Sequence, residues 1–144
     1  MSAGLLLDVN ALIALGWASH EAHETVVARL DRRRQAWATC AITQLGFVRV
    51  SSTSGVFHRT PTPDQARQSL ALLCADKQHR FLTEMPSVLD VDLAALQGPR
   101  QMTDAYLVAL ARHHGLSLLT LDKRLANAFG VSEVELLEVA GAAP

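Results

Sequence analysis

Three aspartates stand at positions where a carboxylate can do chemistry. Asp8 closes the apolar run Leu5-Leu6-Leu7, Asp122 follows the run Leu116 to Thr120, and Asp104 opens a strongly periodic helical stretch. In a parallel α/β sheet the carboxyl ends of strands and the amino ends of helices share one edge, and ligands bind there. Carboxylates gathered at such an edge repel one another until a cation neutralises them. Oxygen donors of this kind suit Mg²⁺ or Mn²⁺ rather than zinc. An ion held there can activate water and stabilise an in-line displacement at phosphorus. Taken singly, each aspartate also matches a helix N-cap or first-turn residue, so the metal reading depends on their sharing an edge.

Other polar residues sit beside these three. Asn10 can hydrogen-bond Asp8 or cap its helix. Thr103 and Thr120 place hydroxyls next to Asp104 and Asp122 or serve as caps. Arg49 can bind phosphate or stay solvated. Arg32-Arg33-Arg34 reads as a solvated helix end, and His113-His114 as the end of a helix whose dipole favours them. No GxGxxG, P-loop, GxSxG or HExxH occurs, so nucleotide-cradling, serine-hydrolase and zincin readings have no support.

The elements that must position these residues follow from periodicity and caps. Leu5 to Leu7 reads as a strand, followed by a helix from about Ala11. Helices are expected over His20 to Arg34, Thr43 to Val50 (with Thr43 as cap and Ile42, Leu45 and Val48 three apart), and Thr62 to Ala75. The last of these opens on Thr62-Pro63-Asp64-Gln65, a capping box with proline at the first position. Gln35 to Thr39 and His79 to Leu82 are brief strand candidates, and Leu89 to Leu96 a short helix candidate. Thr103 to His114 is the clearest helix, with Gly115 as its stop. A strand over Leu116 to Thr120, a helix over Asp122 to Phe129 and a strand over Glu135 to Val139 complete the chain. Alternating helices and short apolar strands predict α/β with a parallel sheet.

The 144 residues amount to one domain, expected over 1–140, with a short flexible tail at 141–144. Hydrophobic residues make up 49% and charged residues 19%, which excludes intrinsic disorder. Thirteen basic and 14 acidic residues give a net charge of −1 and exclude a bulk polycation that coats nucleic acid. Only Lys77 and Lys123 are lysines, so the basic set is mainly arginine, the side chain suited to forked phosphate recognition. Cys40 and Cys74 form no CxxC or Cys/His cluster, which argues for core cysteines in a reducing compartment. The sequence shows neither a secretion signal nor a membrane-length apolar run, and the expectation is a cytoplasmic protein without membrane contact.

Four segments, in order, carry a family resemblance. Leu5-Leu6-Leu7-Asp8-Val9-Asn10-Ala11-Leu12 resembles the opening of PIN-domain ribonucleases. Thr43-Gln44-Leu45-Gly46-Phe47-Val48-Arg49-Val50 resembles the second motif of VapC-type toxins. Thr103-Asp104-Ala105-Tyr106-Leu107 and Leu119-Thr120-Leu121-Asp122 resemble the third and fourth. The resemblance implies a PIN-like fold, a central, mostly parallel five-stranded sheet flanked by helices on both faces. It implies an Mg²⁺- or Mn²⁺-dependent endoribonuclease of a toxin–antitoxin pair, homodimeric and inhibited by a VapB-type antitoxin. Asp8, Asp104 and Asp122 are then the catalytic, metal-binding acids, with Asn10, Gln44, Arg49, Thr103 and Thr120 in support. The chain departs from the pattern at Gln44, where the family usually carries glutamate. That substitution removes one formal charge, so a restored glutamate is expected to tighten metal binding. It also keeps open a second reading: a PIN-like RNA- or antitoxin-binding module with weak or no catalysis.

Overall fold

The computed structural model describes residues 4–32, 34–94, 96, 98–130 and 132–139. The tail expected at 141–144 and Arg33 of the arginine run lie outside the described residues. Five strands form one all-parallel sheet: β1 (Leu5–Leu7), β2 (Trp37–Cys40), β3 (His79–Leu82), β4 (Ser117–Thr120) and β5 (Val134–Leu136). Their order is β3-β2-β1-β4-β5. The register sets Leu5 opposite both Trp37 and Ser117, and Leu7 opposite Leu119.

Among the described residues six α-helices connect the strands: α1 (Val9–Gly16), α2 (His23–Asp31), α3 (Ala41–Ser51), α4 (Pro63–Leu73), α5 (Met102–His113) and α6 (Lys123–Ala128). Side chains alternate across a strand, so each strand feeds two cores. Leu5, Leu7, Trp37 and Leu119 pack against α1 to α4 on one face. Leu6, Ala38, Leu82, Leu118 and Val134 pack against α5 and α6 on the other. Crossovers through α1 to α4 carry the chain from β1 towards β3. Those through α5 and α6 carry it back towards β5, as right-handed connections require on opposite faces. Connections therefore leave β1 and its neighbour β4 in opposite directions. The crevice between their carboxyl ends is the topological switch point at which open α/β sheets bind ligands.

Several elements differ in extent from the sequence expectation. α1 starts at Val9 because Asp8 itself is the N-cap, accepting the Val9 N–H. α3 starts at Ala41, with Cys40 as N-cap and Thr43 at the third position, where its hydroxyl accepts the Cys40 N–H at 3.0 Å. Leu45 faces outward, 70% exposed, and Gly46 and Phe47 face inward. The helix expected over Leu89 to Leu96 is reduced to a 3-10 turn at Val88–Asp90. The Thr62 capping box forms as expected, with bonds of 2.9 and 3.1 Å between Thr62 and Gln65.

Close approach of α3 to α1 fixes the chain next to Asp8. A Cβ on Gly46 would stand 2.5 Å from a Val9 methyl, so the helices touch only because position 46 has no side chain. Gly16 gives the same clearance to the Phe47 ring.

Candidate active site

The carboxyl ends of β1 and β4 meet through backbone and side chains. Asp8 N–H donates to the Leu119 carbonyl at 2.9 Å, continuing the ladder one residue past β1. Asp8 is only 7% exposed, and both its oxygens are occupied. Oδ1 accepts the Val9 N–H at 2.8 Å, and Oδ2 accepts the Thr120 hydroxyl at 2.9 Å. Thr120 is fully buried, and its oxygen also accepts the Asp122 N–H at 3.0 Å. Asn10 closes the group. Its amide nitrogen donates to Thr120 Oγ1 at 3.3 Å, and its Oδ1 accepts the Leu121 N–H at 3.1 Å. Asp122 caps α6, accepting the Arg124 and Leu125 N–H groups at one oxygen, Oδ1.

Asp104 approaches from the other side, in the first turn of α5. It lines a cavity of about 450 Å³ together with Asp8, Asp122 and Asn10. The remaining lining is Val9, Ile13, Val50, Val56 and Phe57, with His20. Burial, reinforced by mutual repulsion, raises the pKa of Asp104 and of Asp8. Burial, and then the charges of Asp8 and Asp122, push the Asp104 carboxyl up to about 6. Burial raises Asp8 as well, opposed by the Thr120 and Val9 hydrogen bonds and reinforced by the charge of Asp122.

These donors fit a hard divalent cation. All are carboxylate or amide oxygens, and the charge that destabilises Asp104 is the charge a cation would neutralise. No group of three or more His, Cys, Asp or Glu side chains among the described residues is arranged to hold an ion as it stands. Asp8, Asp104 and Asp122 would hold such a cation in part through water, as Mg²⁺ commonly does because it dehydrates reluctantly.

Asp8, Asp104, Asp122 and Asn10 thus line one cavity, and Thr120 ties Asp8 to Asp122 and Asn10. The other three expected residues lie differently. Thr103 is exposed in the first turn of α5 beside Asp104. Arg49 is exposed on the last turn of α3, next to the cavity residue Val50. Gln44 faces a separate buried network: its Nε2 donates to Thr39 Oγ1 at 3.1 Å, and Thr39 Oγ1 bonds His79 Nε2 at 2.7 Å. Six cavity residues carried no site role in the sequence reading: Val9, Ile13, His20, Val50, Val56 and Phe57. For Val56 and Phe57 the signal was apolar and aromatic side chains inside a polar loop, Ser54-Gly55-Val56-Phe57-His58.

Comparison with known proteins bears on the same residues. The PIN domain family model matches residues 5–130, which include all three aspartates. The chain belongs to the PIN-domain family. Among its relatives is Ribonuclease VapC38 of Mycobacterium tuberculosis, 41% identical across 93% of this chain and 98% of that protein. Ribonuclease VapC39 is 37% identical across 92% and 98%, and Ribonuclease VapC44 is 40% identical across 84% and 87%, both from the same species. PAE2754 from Pyrobaculum aerophilum shares the PIN-like fold, with a TM-score of 0.60 over 89% of this chain and 86% of that one at 22% identity. Nucleases of the family generally depend on a divalent metal. Among the described residues no helix is long and apolar enough to cross a membrane.

Proposed function

We infer that the protein is a metal-dependent endoribonuclease of the VapC toxin type, cleaving RNA phosphodiesters and inhibited by a VapB-type antitoxin. One observation carries this reading: Asp8, Asp104 and Asp122, from three separate elements, line a single cavity at the switch point between β1 and β4. Asp8 and Asp104 would hold Mg²⁺ or Mn²⁺, with Asp122 directly or through water. When bound, the ion supplies an activated water and charge stabilisation for in-line displacement at phosphorus. The chain's own residues prepare that site. Thr120 and the Val9 N–H fix both Asp8 oxygens, and Asn10 fixes Thr120. No covalent enzyme intermediate is required. Thr103 and Arg49 are exposed near the cavity and are available to the RNA backbone.

The partners follow from the same reading. The RNA substrate reaches the cavity from solvent. The antitoxin covers it, and the protein works as a homodimer in the cytoplasm. Leu45 and Leu72, 70% and 81% exposed on the neighbouring helices α3 and α4, support a protein-binding face there.

The test is RNA cleavage with added Mn²⁺, comparing wild type with Asp8→Asn and Asp104→Asn, alongside calorimetric Mn²⁺ titration of each. Loss of both cleavage and Mn²⁺ binding in the variants is expected. Equal activity in all three proteins rejects the assignment.

A further inference from the structure

Two unlike sets of side chains line the cavity: Asp8, Asp104, Asp122 and Asn10 are polar, and Val9, Ile13, Val50, Val56 and Phe57 are apolar, with His20 among the lining residues. Among the described residues no lysine or arginine lines it. Phosphate binding ordinarily relies on such cations. Three carboxylates without them favour an uncharged part of the substrate against the apolar lining.

We propose that this apolar lining is a subsite for one unpaired nucleobase next to the scissile phosphodiester, stacked on Phe57 and hydrogen-bonded at its edge by His20. The proposal rests on the ribonuclease reading.

Phe57 is held in advance of any ligand. Its ring packs on Trp17 with centroids 5.4 Å apart at 51°. Trp17 lies nearly parallel to Phe47 at 6.0 Å, and its indole N–H donates to the buried Ser51 hydroxyl at 2.8 Å. The loop that carries Phe57 is otherwise largely exposed, so this contact fixes an aromatic ring at the cavity wall. Val56, 45% exposed, extends the wall beside it.

His20 belongs to the same support, because its backbone N–H donates to the Trp17 carbonyl at 3.0 Å. Its ring Nδ1 accepts the Ala22 N–H at 3.0 Å. The neutral ring therefore carries its proton on Nε2, which has no hydrogen-bond partner among the described residues. A flat apolar surface with one donor in the same cavity matches a nucleobase, with its two apolar faces and a rim of carbonyl and ring-nitrogen acceptors. Unpaired bases stacked on aromatic side chains are the usual target of sequence-specific RNA recognition. A base in this position shares the cavity with the acids, which ties it to the bond being cut.

The test uses the full chain with Mn²⁺ and short single-stranded oligoribonucleotides cut at one bond. An abasic residue is placed in turn on each side of that bond. Removal of the base on one side is expected to lower kcat/KM about 10-fold or more. Phe57→Ala and Phe57→Leu should lose a similar factor on intact RNA and little more on the abasic RNA, since the lost stacking is the same in both. Leucine keeps an apolar contact with Trp17, so its loss separates stacking from folding. If wild type cuts no RNA, the ribonuclease reading fails and the subsite falls with it. If it cuts and both abasic substrates are equivalent to the intact one, the subsite alone is rejected. If the Phe57 variants leave cleavage unchanged and weaken only antitoxin binding, the wall belongs to the protein partner and the subsite is rejected.

Discussion

Thr120 Oγ1 donates to Asp8 Oδ2 at 2.9 Å, joining residues 112 positions apart in the chain. The same oxygen accepts the Asp122 N–H and the Asn10 side-chain amide. Each of these groups lies at the buried end of the sheet, where an unmet hydrogen bond costs about 1–3 kcal/mol. Thr120→Val keeps the shape and removes the oxygen. It should lower stability by about 2 kcal/mol in urea denaturation. It should also weaken Mn²⁺ binding about 10-fold or more, the usual effect of losing a group that orients a metal ligand. Thr120→Ser should restore both. A Val variant with unchanged metal affinity would show that Thr120 serves the fold alone.

The acids give a pH dependence of defined sign. The folded Asp104 carboxyl titrates at about 6 against an ordinary value of 3.8, so the folded state holds its proton more tightly than the unfolded state. That contribution to stability is fully present below 3.8 and is lost as pH rises through 6. Asp8 has the same sign. In EDTA, the protein should therefore be more stable at pH 5 than at pH 7, by about 1 kcal/mol after allowance for solvent screening. Asp104→Asn should flatten the profile and stabilise the metal-free protein at pH 7. Saturating Mn²⁺ should reverse the slope, because the ion binds the ionised acids of the folded state. Thermal melts across pH 4.5–7.5 check all three outcomes.

Gln44 carries a prediction that its position in the motif does not suggest. Its amide donates to Thr39 Oγ1, which leaves the Thr39 hydroxyl hydrogen for His79 Nε2 at 2.7 Å. The His79 ring also hydrogen-bonds the Cys74 backbone, and burial holds its pKa down. The chain of donors is complete only with an amide at 44. A carboxylate there takes the Thr39 hydrogen, and His79 recovers a bond only by gaining a proton. Gln44→Glu should therefore raise the His79 pKa, a direction visible in an NMR titration. It should cost about 1–2 kcal/mol at neutral pH. Mn²⁺ affinity should stay within about twofold of wild type. A clear gain in affinity with His79 unmoved would place position 44 at the metal after all.

The contrast between Asp8 and Gln44 marks what the sequence could say. Asp8, Asp104 and Asp122 were legible because an acid that ends an apolar strand or starts a helix has its place set by local structure. The parallel sheet then brings those places to one edge. The direction of Gln44 depends on Thr39 and His79, which meet only through the pairing of β2 with β3 in the register Trp37–His79. No local pattern encodes that register. The cavity's apolar lining was hidden for a similar reason. His20 and Phe57 both lean on Trp17; Phe57 lies in a loop without periodicity, and His20, expected to open a helix, lies before α2, which starts at His23. α3 begins two residues before the expected start because cysteine is not a usual N-cap, and Leu45 of the three-apart set faces solvent.

The contact of Gly46 with Val9 connects helix packing to the acids. The Val9 N–H holds Asp8 Oδ1 at 2.8 Å, so any displacement of Val9 moves the carboxylate. A methyl at position 46 would meet a Val9 methyl at 2.5 Å, well inside contact distance. Gly46→Ala favours the helix intrinsically by about 1 kcal/mol, whereas overpacking a tight core costs about 1–3 kcal/mol. The clash is severe and the neighbour is a stiff β-branched side chain, so the second effect wins. The variant should lose about 1–2 kcal/mol in stability and bind Mn²⁺ more weakly. Val9→Ala removes the methyls in the way, so the double variant Gly46→Ala, Val9→Ala should be more stable than the sum of the two single changes predicts, by about 1 kcal/mol or more. Additive losses would mean that α1 and α3 can slide apart freely, and that Asp8 does not depend on their contact.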